Sequence, residues 1–198
     1  MEKKTTQIII VTGAPGVGKT SVSTVLAGKL HATHIDISEL VLKENLVTGK
    51  DQVRGTSIAD MDKVAERVKE IVAHSECDVV LDGHYAVNVV PKDGVKRVFV
   101  LRRDPEELKP VMEARGWGGL KLWENLACEI LDVCLSDAVE AVGAEKVCEV
   151  DVTRRSVEDV VAEIVEVLEN KRKCFVGVVD WLTYLEMQGR LDEFLKDF

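Results

Sequence analysis

The stretch TGAPGVGKTS, residues 12–21, decides how the rest of the chain is read. It fits the spacing G-x-x-x-x-G-K-[ST], with Gly13, Gly18, Lys19 and Thr20 at the fixed positions. Glycines here let backbone N–H groups turn inward and approach phosphate oxygens closely. A helix beginning near Lys19 adds the positive end of its dipole. Lys19 is suited to neutralise β- and γ-phosphate charge, and the Thr20 hydroxyl to ligate Mg²⁺. The alternative, a chance Gly-rich turn, does not explain why an apolar run precedes the motif and a helical pattern follows it.

That preceding run, QIIIVTG, suits a strand buried on both faces. THIDI, DVVLDG, RVFVLR and KVCEVDV repeat the pattern near residues 35, 80, 99 and 149. Between the runs lie helical periodicities. Met61, Val64, Val68, Ile71 and Val72 recur at steps of three and four, as do Val157, Val160, Val161, Ile164, Val165 and Leu168 after a Ser156 N-cap. Leu120 to Val142 reads as one long helix, and Asp104-Pro105 starts another with Pro at its first position. Short apolar strands alternating with helices predict a single α/β domain over 1–198 with a mostly parallel sheet. The tail, 177–198, carries Trp181, Leu182, Leu185, Leu191, Phe194 and Phe198 and reads as a C-terminal helix. It either packs on the domain or presents an apolar strip to a partner.

A phosphate cradle with Mg²⁺ also needs a carboxylate at the end of a neighbouring apolar strand. Asp82 ends DVVLD and is the first candidate. Asp36 is the rival, or else lines the acceptor pocket. His84 stands two residues after Asp82. It is either a packed core histidine or an imidazole that accepts a proton and orients an attacking group. Residues 36–60 are polar and interrupted by Gly49 and Gly55, so Lys43, Asp51 and Arg54 are candidates to meet a polar acceptor. A solvated charged helix and loop is the other reading of each. Over 112–125, Arg115-Gly116-Trp117-Gly118-Gly119 with Lys121 has the make-up of a short lid: Gly as hinge, Arg115 as the cation for a transferring phosphoryl group. Arg102 and Arg103 read as surface charges at a strand end.

Composition narrows the partners. The net charge of −9 argues against a broad nucleic-acid footprint and suits a basic partner. No apolar run is long enough for a membrane span or a signal peptide, so a cytoplasmic protein is expected, nucleocytoplasmic if eukaryotic. Five cysteines, an odd number without a C-x-x-C pair, predict buried thiols in a reducing setting rather than a disulfide framework.

TGAPGVGKTS, LVTGKD with its following Arg, LDGHYA, VLRRDP, ARGW and ENLACEI, in this order, resemble the small nuclear adenylate kinase family of eukaryotes (the isoenzyme-six type) and its archaeal relatives. The resemblance covers roughly residues 7–170, with an echo in VVDWL. It implies a five-stranded P-loop kinase core, an acceptor-binding segment and a short lid. It implies phosphorylation of AMP by Mg·ATP, ATP hydrolysis, and a role in maturing the small ribosomal subunit through a basic ribosomal protein. The P-loop falls on Gly13 to Ser21, including Pro15, Gly16 and Ser21. The D-x-H motif falls on Asp82 and His84, the lid arginine on Arg115, and the adenine-contacting loop near Thr153, Arg154 and Arg155. Ala86, Val111 and Leu42 depart from the family pattern, the latter two where relatives carry arginines. Losing two cations weakens the expected AMP kinase and leaves ATP binding untouched. Three readings follow: an adenylate kinase that also hydrolyses ATP, an ATPase assembly factor with little kinase activity, or another small-metabolite P-loop kinase.

Overall fold

The computed structural model describes residues 6–195. The chain runs through β1 (Ile8–Thr12), α1 (Lys19–Leu30), β2 (Thr33–Asp36), α2 (Ile37–Lys43), β3 (Val47–Asp51), β4 (Thr56–Ala59), α3 (Met61–His74) and β5 (Val79–Asp82). It continues through β6 (Val95–Arg102), α4 (Pro105–Ala114), α5 (Gly119–Ile130), α6 (Val133–Val142), β7 (Val147–Asp151), α7 (Val157–Leu168) and α8 (Trp181–Met187). The five apolar runs form one sheet in the order β2-β5-β1-β6-β7, parallel throughout. This is an α/β core of five parallel strands flanked by helices.

Alternation along each strand explains why the runs are apolar without interruption. Ile9, Val11, Val80, Phe99 and Leu101 face one side and pack with Leu26 of α1 and Ile164 of α7. Ile8, Ile10, Val79, Leu81, Val98 and Val100 face the other and pack with Val64 and Val68 of α3 and Leu135 of α6. A sheet covered on both faces needs apolar residues at every position. Each such side chain contributes roughly 1.5–3 kcal/mol on burial. Side-chain caps start α2, α3, α4, α7 and α8, from Asp36, Asp60, Asp104, Ser156 and Asp180.

Four expectations are corrected. The single helix over Leu120–Val142 is two helices, broken where Asp132 adopts a left-handed φ of 56°. The Asp132 carboxylate is drawn there by the buried Arg102 guanidinium. The C-terminal helix over 177–198 is shorter: α8 ends at Met187, Gly189 turns the chain with φ 66°, and a 3-10 turn at Leu191–Glu193 follows. Trp181, Leu185 and Phe194 pack into the core, while Phe198 lies outside the described residues. Arg102 is not a surface charge. Its side chain is 2% exposed and pairs with Glu129 and Glu149, both equally buried.

The fourth correction concerns the cysteines. Cys148 of β7 and Cys174 are joined by a disulfide, with Cα atoms 5.3 Å apart. The segment after α7 returns beside β7, where Glu149 N–H donates to the Phe175 carbonyl at 3.0 Å, and this brings the two residues together. Cys77, Cys128 and Cys134 are free thiols. Among the described residues, no helix is long and apolar enough to cross a membrane.

Candidate active site

The site forms at the carboxyl ends of the central strands, where parallel α/β sheets bind ligands. β1 ends at Thr12 and the chain loops over Gly13–Gly18 into α1. Gly13 has φ 135°, and a Cβ there would sit 2.4 Å from the Leu101 carbonyl oxygen, so only glycine fits against β6. Gly18 caps α1 in a left-handed conformation, and no side chain caps the first turn. The amides that open α1 are therefore left without a side-chain cap. Such a cradle with an open helix start fits phosphate oxygens.

Lys19 reaches back over the loop. Its Nζ donates to the carbonyls of Gly13 at 2.9 Å and Ala14 at 3.0 Å. Burial pushes its pKa down, opposed by nearby groups that include Asp82. Thr20 Oγ1 donates to Asp36 Oδ2 at 3.1 Å. Asp36 also caps α2, its Oδ1 accepting from Ser38 N at 2.8 Å and Glu39 N at 3.0 Å. Asp82 is 2% exposed and its Oδ2 lies 2.8 Å from His34 Nε2. That hydrogen bond, as the largest cause, raises the His34 pKa. Thr20, Asp36 and Asp82 are all hard oxygen donors of the kind Mg²⁺ takes. Among the described residues, no group of three or more His, Cys, Asp or Glu is arranged to hold a metal. A site completed by water and substrate phosphates has few protein ligands, as Mg²⁺ sites commonly do.

His84 follows the turn at Gly83, where a Cβ would come within 3.0 Å of Ile37 Cβ. Burial, with the Lys19 charge adding to it, depresses the His84 pKa to about 4. Its imidazole is therefore neutral at physiological pH. The ring lies against Tyr85, centroids 3.4 Å apart.

A cavity of about 510 Å³ gathers these groups. Lys19, Thr20, Asp36, Asp82 and His84 form its floor, with Pro15 and Gly16 from the loop. Arg54 enters from the β3–β4 hairpin, Arg115 and Trp117 from the α4–α5 turn, and Lys121 from the first turn of α5. Lys121 Nζ and Arg115 Cζ sit 4.9 Å and 5.7 Å from the Trp117 ring centroid, one aromatic face serving two cations. The segment that read as a polar loop is thus partly built: β3 and β4 pair antiparallel and carry Arg54 at their turn. Arg54 is held there by Asp51 at 2.7 Å and by both carboxylate oxygens of Glu124 on α5.

Some sequence candidates lie elsewhere. Lys43 sits in the last turn of α2 and is exposed, outside the cavity lining. Thr153, Arg154 and Arg155 form the turn after β7, also outside it. There Thr153 Oγ1 accepts from Asp104 N at 3.0 Å, Arg154 lies 3.5 Å from Glu107, and Arg155 pairs with Glu163 at 2.7 Å. Gly13, Gly18 and Ser21 shape the loop and α1 without appearing among the lining groups. Residues that sequence reasoning missed are His34, Glu124, Asn125 and Tyr85. THID carried one usable signal, because alternation puts His34 and Asp36 on one face of β2.

Fold and site together define a P-loop kinase. A family model described as "AAA domain" matches residues 9–132. A "Putative adenylate kinase" of Methanocaldococcus jannaschii is 40% identical, covering 87% of this chain and 92% of its own. One of Saccharolobus islandicus is 37% identical, covering 96% and 95%. The chain belongs to the AAA domain family and to the family of these archaeal proteins. A solved sugar kinase from Janibacter shares the fold, with a TM-score of 0.52 at 19% identity over 83% of this chain and 95% of its own.

Proposed function

We propose that the protein is a Mg·ATP-dependent adenylate kinase, transferring the γ-phosphoryl group of ATP to AMP, with a side activity of ATP hydrolysis. One observation carries this reading: Lys19, Arg54, Arg115 and Lys121 converge from separate elements on a cavity whose floor is the P-loop. Two nucleotides bring several phosphate charges, and cations from opposite walls suit donor and acceptor. The archaeal relatives, named as adenylate kinases, support the same acceptor.

In this reading the P-loop amides and Lys19 bind the donor phosphates. Mg²⁺, when bound, neutralises charge on the donor's β- and γ-phosphates. Thr20 and Asp82 would hold it, with Asp36 adjoining. Arg115 stabilises charge on the group in flight, and the Trp117 wall excludes water. His84, neutral and on the floor, donates its ring N–H to the attacking phosphate oxygen of AMP, or accepts a hydrogen bond from water that hydrolyses ATP. Thr153 to Arg155 remain the proposed adenine-side contact, reached on a face beyond the cavity. The proposed setting is the cytoplasm.

A second reading, an ATPase assembly factor acting on a basic protein of the small ribosomal subunit, is favoured by a specific observation. Arg54 is already paired with Asp51 and with both carboxylate oxygens of Glu124, and Leu42 is 69% exposed where the family resemblance expects an arginine. The acceptor half thus offers little free positive charge. The deciding experiment measures ADP and phosphate from ATP with each nucleoside monophosphate, with no acceptor, and with a basic ribosomal protein. AMP-dependent ADP formation supports the kinase. Phosphate release stimulated by the protein alone sinks it in favour of the ATPase.

A further inference from the structure

We propose that His34 is a positioning residue for the divalent-cation site, holding one oxygen of Asp82 so that the other is presented to the cation and its water shell. This rests on the Mg·ATP reading above.

β2 and β5 pair in parallel with Asp36 opposite Asp82 and His34 opposite Val80. His34 and Asp36 are two residues apart on one strand and share a face. Asp36 therefore stands level with Asp82 while His34 stands one step behind. From there His34 Nε2 reaches Asp82 Oδ2 at 2.8 Å. Asp82 Oδ1 has no hydrogen-bond partner among the described residues, and Asp82 lines the cavity. His34 does not line it. One carboxylate oxygen is thus pinned from behind while the other is left for whatever the cavity holds. The division extends to Thr20, whose hydroxyl is held by the other β2 side chain, Asp36, at 3.1 Å. One strand therefore orients both candidate cation ligands, Asp82 through His34 and Thr20 through Asp36.

A purely structural role, satisfying a buried carboxylate, predicts a different outcome from positioning. Hydrogen-bond partners of metal-holding carboxylates typically change metal affinity by about 10–100-fold when removed. The test uses the full chain and two variants. His34→Leu removes the donor, and His34→Gln keeps an amide donor that reaches toward Asp82. Calorimetry measures binding of a non-hydrolysable ATP analogue across a Mg²⁺ titration and again in EDTA, and melting temperature is recorded for each variant. His34→Leu is expected to raise the half-saturating Mg²⁺ by about 10-fold. It should leave the affinity in EDTA unchanged, and His34→Gln should recover most of the loss. An unchanged Mg²⁺ dependence in both folded variants, whatever their melting temperatures, overturns the inference alone. Wild-type protein that binds no ATP analogue overturns the Mg·ATP reading itself. Wild-type binding that ignores Mg²⁺ overturns the cation site.

Discussion

At Lys19, the half-buried ammonium hydrogen-bonds, among the described residues, only two loop carbonyls. An arriving phosphate replaces weak neutral acceptors with charged ones, and charge-assisted bonds are roughly twice as strong. Lys19→Ala is therefore expected to abolish measurable ATP binding in calorimetry while the chain stays folded. Arg115 is different. It is exposed at the end of α4, its guanidinium 5.7 Å from the centre of the Trp117 ring. Arg115→Ala should leave ATP affinity within a few-fold and lower turnover on the order of 10²–10³-fold, the usual loss when one stabilising donor is removed from a transition state. An equal loss in binding and turnover would assign Arg115 to ground-state binding instead. His84 adds a pH signature. Its pKa is lowered from 6.5 in the unfolded chain to about 4 in the fold. Between these values the unfolded state binds the proton and the folded state does not. The His84 contribution to stability is thus complete above pH about 6.5 and is lost as pH falls toward about 4. His84→Gln should flatten the melting temperature over that window. His84→Ala should reduce ATP hydrolysis more than AMP binding.

At the scale of elements, two contacts join parts of the chain far apart in sequence. Arg54, on the β3–β4 turn, is clamped by Glu124 of α5, 70 residues later. Both groups are partly exposed, so the bridge is a positional device more than a source of stability. Glu124→Gln should release Arg54 toward an anionic acceptor and lower KM for AMP several-fold with little change in melting temperature. A raised KM would show instead that the clamp holds Arg54 in its working position. Arg102 is the opposite case. It lies in the core at the end of β6, held by Glu129 of α5, Glu149 of β7 and Asp132. Removing one partner of a buried ionic set typically costs about 3–5 kcal/mol, because the remaining charges keep their desolvation penalty. Arg102→Met should lose about that much in denaturant unfolding. Trp181 ties α8 into the same set, its Nε1 donating to Glu129 Oε1 at 3.0 Å. Trp181→Phe keeps the ring and removes the bond, for a loss of about 1.5 kcal/mol. Through Glu129 and the Val178 N–H bond to Glu149, the C-terminal segment becomes part of the foundation of α5, which carries Lys121 and Glu124.

Over the whole molecule, the disulfide closes a loop between Cys148 and Cys174, 26 residues apart. A loop of that size gives about 3.5 kcal/mol in the chain-entropy model. Reduction should lower the melting temperature, and Cys174→Ser should match the reduced wild type, since both leave the edge strand β7 joined to its neighbours only by non-covalent contacts. The five strands, the P-loop and Asp82 at a strand end were legible in the amino-acid order alone. Each depends on neighbours within a few residues: alternation along a buried strand, or fixed spacing at a strand–helix turn. TGAPGVGKTS thus determined the phosphate end of the cavity, and the apolar runs determined that a parallel sheet stands beneath it. Strand order decided the rest. Placing β5 between β2 and β1 set His34 against Asp82, 48 residues away. Placing β7 at the edge beyond β6 gave Arg102 its partner Glu149, 47 residues on, and turned a strand-end charge into a core one. No local pattern encodes these meetings. Charge pairs, clamps and the disulfide depend on which distant segments the packed sheet brings within hydrogen-bonding reach, and only the tertiary structure makes that choice.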